Sequence, residues 1–370
     1  MQTKRYKLLT PGPLTTTDTV KREMLFDHCT WDEDYKKITR GIRARLLRLA
    51  GLTPDRYTAV LMQGSGTFGV ESVFSSVIGA GDKVLICSNG AYGERMAEIC
   101  RWNRIPFLQY REAYDRIPSA EKVGKLLDGD PSVTHVAIVH CETTTGILND
   151  IRSVGAQAKA HGKTFIVDAM SSFGCMEIPA EEWGIDFMIS SANKCIQGVP
   201  GFSFILARRE PMLRSKDTGR SLSLNLYGQW ETMEKDGKWR FTSPTHAVLA
   251  FAKALDELDA EGGVAARGRR YAENNRLLIE GMAALGLRTY IDRKYQSPVI
   301  TTFLYPEGVG FSFADMYRYI KDRGYVIYPG KLTETDTFRI GSIGEIYPED
   351  IRRVCGIMKD FLQARKKEAL

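Results

Sequence analysis

Two side chains with complementary chemistry follow apolar, strand-like segments of this chain. Lys194 follows the run at 189–193, and Asp168, twenty-six residues earlier, follows the run at 164–167. A lysine at a strand end is by itself usually a surface residue, but an acid at the end of a buried strand needs a cationic partner. A lysine that forms an imine and a carboxylate that pairs with a protonated pyridine nitrogen are the minimal equipment for pyridoxal phosphate. The pair therefore indicates an enzyme.

A glycine-containing turn adds a third element. Gly64-Ser65-Gly66-Thr67 stands between a strand-like run at 58–62 and a helical pattern at 68–78. Backbone N–H groups at such a turn can face an anion, and the N-terminus of the helix favours negative charge. The segment is neither a Walker A motif nor a Rossmann fingerprint, because it lacks the lysine of the first and the glycine spacing of the second. An ordinary turn is the alternative, but three strand ends with compatible chemistry favour a phosphate site.

Strand-like runs and helical patterns alternate through the first half of the chain. Helical patterns occupy 66–78, 92–103, 119–127 and 151–160, and the strand-like runs are 58–62, 83–88, 107–111, 134–140, 164–168, 187–191 and 202–207. The alternation predicts an α/β fold with a mostly parallel, seven-stranded sheet covered by helices. We expect the last strand to run antiparallel, because residues 194–201 leave no room for a crossover helix.

The rest of the chain predicts a second, smaller α+β domain. Residues 213–244 show no clear pattern and are expected to be irregular, whereas 247–260 and 263–285 have helical patterns. Shorter strand-like and helical segments follow residue 286. We expect a large domain at 20–270 and a small C-terminal domain, at 271–370, that the N-terminal residues 1–19 join.

Composition excludes several classes of function. Of 370 residues, 43% are hydrophobic, and no run is long enough to span a bilayer or resembles a signal peptide, so we expect a cytoplasmic enzyme with no membrane partner. The net charge is +6, but the basic residues are dispersed; the densest group, Arg267, Arg269 and Arg270, is interpreted as a solvated helix face, and no nucleic-acid partner is expected. Seven cysteines without a CxxC motif predict reduced thiols, and five histidines without ligand spacing predict no metal site.

Six segments together resemble the class V branch of the fold-type I pyridoxal phosphate enzymes, and the resemblance covers nearly the whole chain. They are 9–13 (LTPGP), 63–67 (QGSGT), 88–93 (SNGAYG), 142–146 (ETTTG), 167–172 (VDAMSS) and 191–194 (SANK). Within that branch, the segments 190–201, 239–246 and 338–345 are most similar to 2-aminoethylphosphonate–pyruvate aminotransferases. The resemblance implies the fold of those enzymes and a homodimer whose active site is shared between subunits.

The resemblance also implies a role for each site residue. Lys194 would hold the cofactor as a Schiff base and then move a proton, while Asp168 would keep the pyridine nitrogen protonated and Tyr92 would stack on the ring. The phosphate would be held by Ser65, Gly66, Thr67 and Asn193, with Thr242 from the second subunit. Thr143, with Thr145 as the alternative, would lie beside the ring hydroxyl. Arg339 would grip the phosphonate of one substrate and the carboxylate of the other.

The implied reaction is a transamination in phosphonate catabolism. The amine of 2-aminoethylphosphonate would pass to pyruvate, giving phosphonoacetaldehyde and L-alanine. Another class V aminotransferase, such as a serine or alanine–glyoxylate enzyme, would share every cofactor residue. A lyase or cysteine desulfurase is less compatible with the sequence, because Cys29, Cys100, Cys141 and Cys355 do not lie in a glycine-rich loop. The alternative of another class is a non-catalytic basic binding protein on the same scaffold.

Overall fold

A computed structural model gives the fold and describes residues 6–306, 311–332 and 334–368, so parts of the expected small domain, residues 1–5, 307–310, 333 and 369–370, lie outside the described residues. In chain order the strands are β1 (Lys7–Leu8), β2 (Tyr57–Gln63), β3 (Val84–Ser88), β4 (Phe107–Arg111), β5 (His135–Val139), β6 (Cys141–Glu142), β7 (Ile147–Leu148), β8 (Thr164–Asp168), β9 (Phe187–Ser191), β10 (Phe202–Arg208), β11 (Ile300–Leu304), β12 (Tyr325–Val326), β13 (Tyr328–Pro329) and β14 (Thr337–Gly341). The α-helices are α1 (Asp18–Arg22), α2 (Glu33–Leu49), α3 (Gly66–Val77), α4 (Ala91–Trp102), α5 (Ala120–Gly129), α6 (Ile151–Ala160), α7 (Arg209–Arg214), α8 (Leu226–Asp236), α9 (Thr245–Glu261), α10 (Gly263–Ala283), α11 (Phe313–Asp322) and α12 (Pro348–Glu368).

Seven strands form the central sheet, in the order β2-β10-β9-β8-β5-β3-β4. Strand β10 is antiparallel to both of its neighbours, and every other pair is parallel. The predicted seven-stranded, mostly parallel sheet and its reversed last strand are therefore confirmed. Strands β5 and β9 are buried along their whole length, as expected where helices cover both faces of a parallel sheet.

The direction of the strands brings three chain segments to one edge of the sheet. Because β10 lies reversed between β2 and β9, strands β2, β8 and β9 all point the same way. Gln63, Asp168 and Ser191 are their last residues. Asp168 and the segments that follow β2 and β9, at 64–67 and 192–194, therefore meet at the carboxyl edge, where α/β sheets bind their ligands.

The region at 213–244 was predicted to be irregular, and this was wrong, because it contains α8. Asn225 caps the start of that helix with its side chain, and Gly237 ends it in the left-handed conformation. Trp230 and Met233 are buried on one face of the helix. A cap, a terminal glycine and apolar residues at helical spacing were all present in the sequence, but polar residues between them hid the pattern.

A second apolar core lies in the C-terminal third of the chain. It packs the three-stranded sheet β11-β14-β13 against α10, α11 and α12. The N-terminal segment joins it, because β1 pairs in parallel with β12 and Leu9 is buried in this core. Within the described ranges, no helix is both long enough and apolar enough to cross a membrane.

Candidate active site

A cavity of about 170 Å³ opens at the carboxyl edge of the central sheet. It is lined by eight residues that the sequence assigned to the site: Ser65, Gly66, Thr67, Tyr92, Thr143, Asp168, Asn193 and Lys194. They come from four separate strand ends and from the start of two helices, α3 and α4. The topology therefore brings residues up to 129 positions apart in the chain together around one cavity.

Asp168 is a buried carboxylate at the floor of this cavity. It is 5% exposed, and its Oδ1 accepts a hydrogen bond of 2.9 Å from the backbone N–H of Met170. Burial raises the pKa of Asp168 to about 6, although the Met170 N–H and the charges of Lys194 and Arg95 act in the opposite direction. Among the described residues, no cation forms an ion pair with it. An acid in this state would be stabilised by a cationic ligand group.

Lys194 lies beside Asp168 and is nearly enclosed by the N-terminal segment. Its Nζ donates a hydrogen bond of 2.8 Å to the carbonyl of Pro11, and a Cβ on Gly12 would lie only 2.5 Å from the same nitrogen. Burial lowers the pKa of Lys194, against the opposing effects of Tyr92 and Asp168. A lysine with a lowered pKa has a larger neutral fraction, which is the form that attacks a carbonyl.

The loop that carries Lys194 is fixed by α10. Arg267 donates to the carbonyl of Cys195 at 2.7 Å, and Arg270 and Tyr271 both bond the side chain of Gln197, which has a left-handed backbone (φ 67°). The interpretation of Arg267, Arg269 and Arg270 as a solvated helix face was wrong for Arg267, which is 1% exposed, whereas Arg269 is exposed. Local charge density gave no sign that this face packs under the loop.

The turn before α3 presents an anion-binding end to the cavity. Ser65 is the N-cap of this helix but makes no side-chain capping bond, so the N–H groups of the first turn stay available. Arg95, at the same end, donates from Nη1 to the hydroxyl of Thr67 at 3.2 Å. A Cβ on Gly66 would lie 2.7 Å from the sulfur of Met170, so a side chain here would displace that of Met170. Free N–H groups, hydroxyls and a guanidinium together suit a phosphate group.

Tyr92 is held over the cavity by a buried glutamate. The carboxylate of Glu142 accepts hydrogen bonds from the backbone N–H groups of Tyr92 (3.1 Å) and Gly93 (3.3 Å) and from the Thr144 hydroxyl (2.6 Å). Burial raises the pKa of Glu142, and these donors oppose the effect. For Tyr92, burial acts to raise the pKa, but Lys194, Lys331 and the Thr143 hydroxyl outweigh it, so its pKa is lowered.

Arg339 is a buried cation next to the cavity. It lies in the middle of β14, is 2% exposed, and donates from Nη1 to the carbonyl of Thr143 (2.9 Å) and from Nε to that of Pro329 (3.0 Å). Burial lowers its pKa. Within the described part of the chain, no carboxylate forms an ion pair with Arg339. Its position and unpaired charge suit recognition of an anionic substrate.

Three of the residues assigned to the site, Thr145, Thr242 and Arg339, do not line the cavity. The hydroxyl of Thr145 is buried and has no hydrogen-bond partner among the described residues, while Thr143 lines the cavity. Thr242 is exposed on the surface of the chain. Sequence reasoning missed Arg95, which lines the cavity one helical turn after Tyr92, and Glu142 and Lys331, which contact Tyr92. The spacing of Tyr92 and Arg95 on one helix was the available signal.

The assembled groups fit the requirements of pyridoxal phosphate. A lysine amine can hold an aldehyde, an unpaired buried carboxylate can face a pyridinium nitrogen, and a helix N-terminus can receive a phosphate. Among the described residues, no group of three or more histidine, cysteine, aspartate or glutamate side chains forms a metal site.

Comparisons with known proteins agree with this geometry. The family model described as Aminotransferase class-V matches residues 30–333. The chain is 56% identical to a 2-aminoethylphosphonate–pyruvate transaminase of Lysinibacillus sphaericus over 98% of this chain and 99% of the relative, and 55% identical to one of Bacteroides fragilis over 96% and 99%. The crystal structure of a ureidoglycine–glyoxylate aminotransferase from Bacillus subtilis, 22% identical, superposes with a TM-score of 0.89 over 99% of this chain and 95% of that one. The chain belongs to the class V aminotransferase family.

Proposed function

We propose that this protein transfers the amino group of 2-aminoethylphosphonate to pyruvate, which yields phosphonoacetaldehyde and L-alanine. The observation that carries the proposal is the 56% identity, over nearly the full length, to a relative named for this reaction. The site supports it, because a buried and unpaired Arg339 stands next to a cavity that contains the lysine and the carboxylate. The aminotransferase relatives argue against the alternative of a non-catalytic binding protein.

We propose pyridoxal phosphate as the cofactor. When bound, it supplies an electron sink for the carbanion that forms at the amine-bearing carbon of the substrate. Lys194 would hold it covalently. Its amine, which the substrate releases, would remove the proton from that carbon and then donate it in the next proton transfer. Asp168 would keep the ring nitrogen protonated.

The remaining residues would bind and orient. Ser65, Gly66, Thr67 and Asn193 would hold the phosphate, and Thr242 would reach it from a second subunit. Tyr92 would cover one face of the ring, and Thr143, which lines the cavity, is preferred to Thr145 beside the ring hydroxyl. Apart from Thr242, these groups lie at strand ends or helix starts, which favours a preorganised site.

Arg339 would bind the anionic end of both substrates. Its guanidinium is oriented by the two main-chain carbonyls, and its remaining N–H groups can donate to either a phosphonate or a carboxylate. One residue would then serve both halves of the transamination.

We also propose a homodimer and a division into two domains. The exposed Thr242 fits a role across a subunit boundary, and the two apolar cores fit a large domain at 20–270 and a small one at 1–19 and 271–370.

A panel of amino donors with pyruvate as acceptor tests the function. We expect 2-aminoethylphosphonate to produce L-alanine, and we expect serine, alanine and β-alanine to react at least about 100-fold more slowly in kcat/KM. The same panel with glyoxylate tests the alanine–glyoxylate alternative. A protein that forms no alanine from 2-aminoethylphosphonate and pyruvate would overturn the proposal.

A further inference from the structure

The two substrates of the proposed reaction differ in charge. A phosphonate group can carry two negative charges, whereas the carboxylate of pyruvate carries one. Arg339 provides one positive charge to either group. A site that uses the dianion as donor and the monoanion as acceptor therefore needs a second cation that acts mainly on the phosphonate.

Lys331 places a cation at the rim of the cavity. Its Nζ lies 4.6 Å from the ring centroid of Tyr92 and 3.4 Å from the phenol oxygen of that residue. Tyr92 lines the cavity, so the ammonium is one side chain away from it. Lys331 is an exposed residue, and within the ranges that the structure describes it forms no ion pair with a carboxylate.

Lys331 follows the same hairpin that contains Arg339. Arg339 pairs in register with Tyr328 across β13 and β14, and it also bonds the carbonyl of Pro329. The next residue, Gly330, donates its N–H to the carbonyl of Thr337 at 2.9 Å. A Cβ on Gly330 would lie 2.0 Å from the Thr337 hydroxyl and 2.5 Å from its carbonyl oxygen, so this position beside β14 requires glycine. Lys331 follows directly, one residue beyond the last rung of the hairpin.

Arg95 is a further cation near Tyr92, at the end of the site beside the start of α3. Arg95 has its guanidinium carbon 5.0 Å from the Tyr92 ring centroid, but it bonds the hydroxyl of Thr67 at the start of α3. That is the end suited to the phosphate of a cofactor. Lys331 instead follows the hairpin of Arg339. We therefore assign Lys331 and Arg339, and not Arg95, to the substrate.

We propose that Lys331 is a specificity-determining residue that binds the phosphonate dianion together with Arg339. This inference rests on the proposed function, because it assumes a phosphonate donor at the same site. Lys331 would add little to the binding of a carboxylate, whose single charge Arg339 already neutralises. It would therefore separate the donor from carboxylate analogues of the same length.

The test compares Lys331→Met with the wild-type holoenzyme in two measurements. The first is the equilibrium binding of ethylphosphonate and of propionate, which lack an amine and do not react. The second is kcat/KM in each half-reaction, with 2-aminoethylphosphonate or β-alanine as donor and with pyruvate as acceptor. We expect the variant to lose about 10- to 100-fold in ethylphosphonate affinity and in kcat/KM for 2-aminoethylphosphonate, since a bond to a charged group has that strength. Propionate binding and the pyruvate half-reaction should change less than about 2-fold.

Matched variants separate charge from structure. Lys321→Met removes a lysine that also lies near tyrosine rings, 5.7 Å from the centroid of Tyr317, but on α11 and away from the cavity, and it should leave both measurements unchanged. Lys331→Arg should retain most of the phosphonate preference, because it keeps the charge. Equal losses for phosphonate and carboxylate ligands in Lys331→Met would indicate a structural role and overturn the inference.

The two proposals fail in different ways. If wild-type protein does not use 2-aminoethylphosphonate, the proposed function falls and the role of Lys331 falls with it. If the wild type uses this donor and Lys331→Met keeps the full preference for phosphonate over carboxylate, only the role of Lys331 is refuted.

Discussion

Asp168→Asn should stabilise the protein when no cofactor is bound. The pKa of Asp168 rises from an ordinary value of 3.8 to about 6 on folding, so the folded state resists its ionisation. Each pKa unit corresponds to about 1.4 kcal/mol. The ionised Asp168 side chain therefore lowers the free energy of unfolding by about 3 kcal/mol. Asparagine has nearly the same shape, carries no charge, and can still accept the hydrogen bond from Met170.

The sign of the pH dependence follows from the direction of the shift. Between pH 3.8 and 6 the folded protein binds this proton more readily than the unfolded chain, so the cost of Asp168 grows as the pH rises through that window. Above the window, both states are ionised and the full cost applies. The stability advantage of the variant should therefore be about 3 kcal/mol at pH 8 and about half of that at pH 5.

The assay is urea unfolding of the cofactor-free proteins at fixed protein concentration, at several pH values between 5 and 8. Saturation with pyridoxal phosphate should then stabilise the wild type more than the variant, because only the carboxylate pairs with a cationic ring nitrogen. The variant should retain bound cofactor through Lys194 and lose at least about 100-fold in kcat. A variant that is no more stable than the wild type at pH 8, or whose advantage does not shrink towards pH 5, would refute the electrostatic reasoning. Near-normal turnover would remove the role assigned to Asp168.

Three further substitutions test other parts of the site. Arg339→Lys should lower kcat/KM about 100-fold for both donor and acceptor in steady-state assays, because an ammonium cannot bond two main-chain carbonyls and still present a planar fork; unchanged values for either substrate would count against a shared anion site. Arg267→Met should lower the free energy of unfolding by about 1–3 kcal/mol in urea, because it leaves the buried carbonyl of Cys195 without this donor and removes one of the two cations paired with Glu261, and a loss below about 0.5 kcal/mol would contradict the prediction. Gly66→Ala should cost about 1–3 kcal/mol of stability through its contact with Met170, and the double variant with Met170→Ala should recover part of that loss, whereas additive losses would show that the contact is relieved elsewhere.

The sequence predicted the sheet well because strand signals are local. Apolar runs such as 164–167 and 187–189 contain enough β-branched and aromatic residues to predict buried strands. The short segment at 194–201 predicted the reversal of β10, since chain length limits the possible connections. Once the strand ends were known, Asp168 and Lys194 had to face the same edge.

Helix α8 and the buried arginines show the limit of that reasoning. A mixed stretch with a cap at Asn225 gave too weak a pattern to predict the helix. Arg267 has the charge of a surface residue, yet the loop after Lys194 covers it. Burial of a charged group depends on which surface packs against it, and that is not a property of its neighbours in the chain.

The sequence by itself determined the chemical groups and the strand ends that carry them: an amine at Lys194, a carboxylate at Asp168 and a glycine turn at 64–67. Tertiary structure alone decided that Arg339 reaches Thr143 across 196 residues, and that Lys331 reaches Tyr92 across 239. Periodicity and motif spacing report on neighbours along the chain, whereas these contacts arise where the hairpin of the second core packs onto the edge of the central sheet. The pKa shifts at Asp168 and Lys194 come from the same packing, because desolvation acts on a group only after other parts of the chain exclude water from it.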